Sequence, residues 1–176
     1  LERTYEVTSD PQMGFEEKIN GLLKAGRDHL DLPYGFLTRI DVDGDSASGT
    51  QTILEAIGSH GLLQPNESGP LSESYCQRTI DHDGAMAVTN ATESELVDDI
   101  AYDTFGLETY IGGSVFVDGD VYGTLCFASS ESQNTAFDEF EQSFVSLLGQ
   151  WAGYEIERRE ARDELRQKQE RLELTL

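Results

Sequence analysis

The sequence predicts an α+β fold, with a helix near each end bracketing strands and short helices. Three observations lead there. The apolar positions Phe15, Ile19, Leu22, Leu23, Gly26 and Leu30 recur at helical spacing. Residues 110–117 and 120–128 alternate as strands do, across Asp118-Gly119, a strong two-residue hairpin signal. Thr135-x-x-Asp138 matches a capping box, and beyond Tyr154 the chain holds neither Gly nor Pro, so a long helix is expected.

The elements follow in order. Residues 1–10 read as the end of an entering linker helix, stopped at Asp10-Pro11, and the domain proper as 11–153. The helix from Phe15 ends near Leu32-Pro33. A strand over 34–42 is closed by Asp43-Gly44 and pairs, after a polar tip, with a strand over 52–58. Residues 62–71, with Pro65, Gly69 and Pro70, read as loop. Ser72 is the expected N-cap of a short helix through Ile80, 85–89 a short strand, and 97–105 a second short helix stopped by Gly106. In the hairpin, Ile111, Val115, Val117, Val121, Leu125 and Phe127 share an apolar face suited to packing under helices. Tyr110, Ser114, Phe116, Tyr122, Thr124 and Cys126 point the other way, a mixture that suits a cavity lining. The long helix is expected to bury Phe140, Phe144, Leu147, Leu148 and Trp151. Residues 154–176 read as an exit signalling helix with an imperfect heptad through Tyr154, Arg158, Ala161, Leu165, Lys168, Leu172 and Thr175.

Charge narrows the function classes. There are 34 acids against 12 bases, a formal net charge of −22 and a pI near 4.2. The acids run from Glu2 to Glu173 rather than forming one block, and the only lysines are Lys18, Lys24 and Lys168. Such a surface repels itself in dilute buffer and is relieved at molar salt, where the screening length is about 3 Å. Salt adaptation is therefore the expected reason for the composition. Binding nucleic acid by phosphate neutralisation is excluded for this segment. The exit helix stands apart, with seven acids against six bases after Tyr154, which suggests ion pairs along or between helices. No apolar run nears the roughly 20 residues that span a bilayer. The expectation is a cytoplasmic piece of a longer chain, without membrane contact of its own.

Local sequence also resembles a known family. Pro70-Leu71-Ser72-Glu73-Ser74-Tyr75-Cys76-Gln77-Arg78-Thr79-Ile80 looks like the segment entering the first pocket helix of a GAF domain. Tyr110-Ile111-Gly112-Gly113-Ser114-Val115, then Tyr122-Gly123-Thr124-Leu125-Cys126-Phe127, is similar to that family's paired strands with their GTLC-like element. Trp151 in Leu147-Leu148-Gly149-Gln150-Trp151 resembles the start of its exit helix, so the likeness covers residues 8–158. The resemblance implies a central antiparallel sheet of five to six strands. Terminal helices lie on one face, and short helices enclose a small-molecule pocket on the other. It implies a ligand- or redox-sensing module of a haloarchaeal signalling protein, a sensor histidine kinase or a bacterio-opsin-activator-like regulator with a helix-turn-helix output. The expected partners are a second copy through the terminal helices, an output domain in the same chain, and an unknown small effector. The competing readings are a non-sensing dimerisation module of a helix-turn-helix transcription regulator, with a vestigial pocket, and, further off, a GAF-fold methionine sulfoxide reductase.

The resemblance makes Tyr75, Cys76, Thr79, Tyr102 and Phe105 ligand-binding candidates on the short helices, with Tyr110, Ser114, Thr124 and Cys126 on the strands. The same side chains also suit plain core filling. No pattern names a cofactor. Cys76 and Cys126, fifty positions apart, lack CxxC spacing and are expected to be reduced. Cys76 is followed by Gln77 where bilin-binding relatives place His, which disfavours chromophore attachment. A redox pair has only Arg78 as a nearby base, and the local pattern of GAF-fold methionine sulfoxide reductases is absent, so no catalytic residue is expected. His29, His60 and His82 lack metal-ligand spacing and read as surface residues. Asp98, Asp99 and Asp103 lack EF-hand spacing.

Overall fold

A computed structural model of the chain describes residues 14–42, 49–94 and 100–175. Helix α1 (Phe15–Leu30) leads into strands β1 (Tyr34–Asp41), β2 (Thr50–Ile57) and β3 (Ser68–Pro70). Short helix α2 (Cys76–Asp81), strand β4 (Met86–Val88) and short helix α3 (Ile100–Phe105) follow. Strands β5 (Thr109–Val117) and β6 (Asp120–Ser129) and the long helix α4 (Glu139–Thr175) complete the order. The six strands form one sheet in the order β3-β2-β1-β6-β5-β4, antiparallel throughout. The expected linker helix over 1–10, the Asp43-Gly44 turn, and Asp98 and Asp99 lie outside the described residues.

One face of the sheet meets α1 and α4. Ile19, Leu22 and Leu23 of α1 are fully buried with Leu37, Ile111, Val115, Leu125 and Phe127 of the sheet and Val145, Leu148, Ala152 and Ile156 of α4. The Phe127 ring lies against Gly26, where a Cβ would overlap it, so α1 sits close to the strands. Asp31 ends α1 in the left-handed conformation (φ 55°), and its own N–H and that of Leu32 return to the Arg27 carbonyl before Pro33. The opposite face carries Phe36, Ile40, Ile53, Tyr110, Cys126 and Ala128 beneath α2 and α3. Leu125 and Cys126 thus face opposite layers, as alternation requires.

Several local expectations shift. The loop over 62–71 contains β3, whose residues 68–70 pair with 50–52 at the sheet edge. Ser74, not Ser72, supports the start of α2, its Oγ accepting the Cys76 N–H at 2.9 Å after a 3₁₀ turn at Leu71–Glu73. The capping box is formed by Asp138 and Glu141 rather than by Thr135 and Asp138. Asp138 Oδ1 accepts from Glu141 N at 2.7 Å, and Glu141 Oε1 accepts from Asp138 N at 3.1 Å.

Two wider corrections concern faces. Phe140 is 54% exposed, and Leu147 and Trp151 are only half-buried. The buried stripe of α4 runs instead through Phe144, Val145, Leu148, Gly149, Ala152, Gly153 and Ile156. The two glycines explain the rotation. A Cβ on Gly149 would stand 3.1 Å from the Ser114 carbonyl oxygen and one on Gly153 2.5 Å from that of Phe116, so the small side of the helix meets β5. In the hairpin, the register shifts between Val115 and Phe116, which leaves Tyr122 as an extra residue. Tyr122 packs with the helix-side core, while Val121 pairs with Phe116 and both are exposed, the reverse of simple alternation.

α4 continues unbroken across residues 153 and 154, and its burial ends at Ile156. Near that point Lys18 of α1 and Glu155 of α4 form an ion pair at 3.5 Å, with side chains 4% and 8% exposed. Among the described residues, no helix is long and apolar enough to cross a membrane.

Candidate functional site: a buried thiol and hydroxyl cluster

Alternation on three central strands aims Thr38 of β1, Tyr110 of β5, and Thr124 and Cys126 of β6 at the same layer. The register places Thr38 beside Thr124, and Phe36 and Gly112 beside Cys126. Gly112 is required, because a Cβ there would overlap the Tyr110 hydroxyl. Helix α2 lies across these strands and lowers Cys76 and Thr79 onto them. Cys76, Thr79, Tyr110, Thr124 and Cys126 are all at most 1% exposed.

These groups form one hydrogen-bonded cluster. The Cys126 thiol donates to Thr124 Oγ1 at 3.2 Å, and the Thr124 hydroxyl donates to Cys76 Sγ at 3.0 Å. With its hydrogen so used, Thr124 accepts from the Thr38 hydroxyl at 2.7 Å, while Thr38 Oγ1 accepts the Thr124 N–H at 3.1 Å. The Tyr110 hydroxyl lies 2.9 Å from Cys126 Sγ, 4.0 Å from Cys76 Sγ and 2.7 Å from Thr79 Oγ1. Thr79 in turn donates to the Tyr75 carbonyl at 3.0 Å. Both cysteines are free thiols.

The two sulfurs differ in acidity. Burial alone would raise the Cys76 pKa, but hydrogen bonds from Cys126, Ser74, Thr124 and Tyr110 outweigh it and bring it down to about 7. Cys126 is pushed well above the usual thiol range by burial and by the neighbouring Cys76. Tyr110 is likewise raised, first by burial and then by the two sulfurs. The cluster therefore holds one ionisable sulfur beside two groups that keep their protons.

Space here is small. A chamber of about 10 Å³, room for roughly one water molecule, is bounded by Phe36, Gln51, Ser74, Cys76, Phe105 and Tyr110, among others. Gln51, Ser74 and Phe105 also line an outer groove of about 200 Å³, walled by Ile53, Leu62, Glu67, Gly69, Pro70 and Glu73. The expected hollow is thus mostly filled, by Tyr110 reaching into the thiols. Wider clefts along α4 do not touch the cluster.

Of the nine candidates, Cys76, Thr79, Tyr110, Thr124 and Cys126 converge. Tyr75 and Phe105 border the chamber, and the Tyr75 hydroxyl donates to the Leu107 carbonyl at 3.0 Å. Tyr102 stands apart, its hydroxyl donating to Glu108 Oε1 at 2.7 Å on the outer side of α3. Partial burial pushes the Glu108 pKa up, but hydrogen bonds from Thr92, Tyr102 and Ala91 together outweigh it and hold the pKa below the ordinary value. Ser114 pairs with Thr124 but is half-buried outside the cluster.

Sequence reasoning missed Gln51, Ser74 and Thr38. The Ser74 hydroxyl accepts from Cys76 N–H and donates to Gln51 Oε1, which leaves the Gln51 amide N–H groups to the cavity walls. Starting β2 two residues earlier would have exposed the signal, because Gln51 then alternates with Ile53. His60 is half-buried rather than fully on the surface. It accepts from Leu62 N at Nδ1, 3.1 Å, and so donates from Nε2 to the Phe105 carbonyl at 2.8 Å, pinning α3 to the β2–β3 connection. His29 and His82 are exposed. Among the described residues, no group of three His, Cys, Asp or Glu could hold a metal ion.

The GAF domain family model matches residues 15–156. Diguanylate cyclase DgcP of Escherichia coli is 27% identical over 144 residues, which is 80% of this chain but only 40% of the cyclase. The chain thus spans about two fifths of that relative's length. Among solved structures, the GAF domain of an Acinetobacter phosphoenolpyruvate-protein phosphotransferase superposes with TM-score 0.70 at 16% identity, covering 93% of both chains. A domain ascribed to a two-component sensor histidine kinase of Sinorhizobium meliloti gives 0.59 at 16% identity, covering 89% of this chain and 99% of its own. At such identities these two share the fold.

Proposed function

The chain belongs to the GAF domain family, and on that premise we propose that it is a ligand- or redox-sensing regulatory module of a haloarchaeal signalling protein. It passes its signal through α1 and α4 to an output domain, a sensor histidine kinase, and acts as a regulator in the cytoplasm rather than as an enzyme. The observation that carries this reading is the two-sided sheet. Cys126 reports to the cluster under α2, while its neighbours Leu125 and Phe127 bear on α1 and α4. A change in the cluster that moves β6 therefore alters how the terminal helices pack. The coupling is limited to the effector's difference in affinity for the two packings.

The groove favours a particular class of ligand. Gln51 offers amide donors, Glu67 and Glu73 offer acceptors, and no base lines it. A small neutral or cationic molecule with one acceptor and several donors fits, and phosphates are repelled. A second copy of the chain is the partner for α4, whose exposed Tyr154, Leu165 and Leu172 (58%, 58% and 64%) recur on its heptad face. The relatives, a diguanylate cyclase and a domain of a two-component sensor histidine kinase protein, support a signalling context.

The test is thermal unfolding in molar KCl against a panel of amines, amides, nucleobases and oxidants, alongside analytical ultracentrifugation. A ligand or oxidant that raises the melting temperature and changes the dimer's sedimentation supports the reading. No shift with any compound, in a protein that still dimerises, favours the dimerisation module instead. A monomer at all concentrations removes the second-copy interface.

A further inference from the structure

The cluster has a chemical capacity that ligand binding does not use. We propose that Cys76 and Cys126 form a dithiol site that reacts with a small hydroperoxide, Cys76 being the attacking sulfur and Cys126 the resolving one. This deepens the redox side of the sensing reading and rests on it only for its consequence, not for its chemistry.

Geometry sets the two roles apart. Cys76 borders the small chamber and Cys126 does not, so an entering oxidant meets Cys76 first. Gln51, Ser74 and Phe105 line both that chamber and the outer groove, and room for about one water excludes bulky disulfides and sulfoxides, which leaves oxidants near the size of water, hydrogen peroxide foremost. The Thr124 hydroxyl donates to Cys76 and accepts from Cys126, which both steadies a Cys76 thiolate and offers a path for the Cys126 proton. The lowered pKa of Cys76 and the raised pKa of Cys126 agree with this assignment.

The steps balance. The Cys76 thiolate attacks one peroxide oxygen. An S–O bond forms as the O–O bond breaks, and the other oxygen departs as hydroxide, becoming water with the proton Cys76 gave up. Cys76 is now a sulfenic acid. The Cys126 sulfur attacks the Cys76 sulfur, an S–S bond forms, the S–O bond breaks, and the hydroxide leaves as water with the Cys126 proton. In sum, two thiols and one hydrogen peroxide give one disulfide and two waters. The sulfurs lose two electrons and the O–O bond gains them. The new bond ties α2 to the central strand β6 at the level of Tyr110.

The experiment treats the whole chain, in molar KCl, with equimolar hydrogen peroxide, then unfolds it in N-ethylmaleimide and weighs it. The expected product carries no maleimide and yields a Cys76–Cys126 cross-linked peptide. In Cys126→Ser, dimedone labels Cys76 as a sulfenic acid; in Cys76→Ser, Cys126 keeps its thiol. Thr124→Val is expected to slow the reaction about tenfold and move its pH midpoint up by about one unit, a readout that a packing defect alone does not move. Wild-type protein whose two thiols both still take maleimide after peroxide overturns the site, as does sulfenic acid found first on Cys126. That measurement needs no substitution, so a variant that fails to fold leaves it decisive. Absence of the disulfide leaves ligand-driven sensing standing. A disulfide that forms without changing sedimentation or melting keeps the site and removes the redox arm of the sensing reading.

Discussion

Lys18 of α1 and Glu155 of α4 face each other at 3.5 Å, almost wholly out of water, where the two terminal helices meet. Arg158 reaches the same carboxylate at 3.2 Å from one helical turn on, and the Arg159 guanidinium lies 4.0 Å from the centre of the Phe15 ring. The seam is thus held by charges inside an otherwise apolar layer. Glu155→Leu leaves Lys18 buried without that carboxylate and is expected to cost about 3–5 kcal/mol, the usual penalty for an uncompensated buried charge, whereas Lys18→Met costs less because Arg158 still reaches Glu155. Lys18→Met with Glu155→Leu should recover most of the Glu155→Leu loss. Urea unfolding of the two single variants and the double variant in molar KCl checks both; additive losses would mean that the pair does not interact.

Gly153 sets the approach of α4 to β5. A methyl group there would meet the Phe116 carbonyl, which is backbone and cannot rotate aside. Gly153→Ala should therefore destabilise by about 1–3 kcal/mol, although alanine favours helix. Thermal melts of that variant against the wild type check this, because helix propensity alone would raise the melting temperature and the close contact lowers it.

The thiol cluster makes stability depend on pH in a defined direction. Cys76, with its folded pKa lowered to about 7 from an ordinary 9.0, binds fewer protons folded than unfolded between those values. Stability from this group is therefore gained as pH rises from about 7 to 9. Cys126 and Tyr110 act oppositely, since their folded values lie above the ordinary 9.0 and 10.0, and stability is lost as pH rises past those points. Urea midpoints measured from pH 6 to 11 should rise and then fall (an ascent absent in Cys76→Ser).

The acidic surface predicts a salt requirement. A net charge of −22 on this chain opposes compaction until it is screened. Raising KCl from about 0.1 to 2 M, which shrinks the screening length from about 10 Å to under 3 Å, should add at least 2 kcal/mol, roughly 4–8 °C in melting temperature. A melting temperature that does not move with KCl would remove salt adaptation as the reason for the composition.

Much of this architecture is legible in the sequence. The spacing of Ile19, Leu22, Leu23 and Leu30 announces α1, and Asp118-Gly119 announces the hairpin, whose turn takes φ of 53° and 85° as such a pair allows. Alternation separated Leu125 from Cys126 and so foretold two unlike layers. The same logic failed at Val121 and Tyr122, because one bulge inverts parity and leaves no mark in composition. It failed again on α4, where large side chains suggested the buried face and two glycines against carbonyl oxygens decided it. Among the site residues, the five that alternate on strands or sit on α2 (Tyr110, Thr124, Cys126, Cys76 and Thr79) were found, whereas Gln51 escaped through a boundary placed two residues late.

Periodicity, turn signals and charge are properties of neighbouring residues, and these by themselves determined the element order, the two-faced sheet and the acidic exterior. Contacts between residues far apart in the chain were decided only when the layers closed. Thr38 and Thr124, 86 positions apart, meet across two strands; Lys18 finds Glu155 at the helix seam; and Cys76 descends onto Cys126. The reason is that burial acts on surfaces rather than on neighbours. A side chain's solvent, its partners and its acidity are set by whatever the fold brings against it, and no window of sequence contains that.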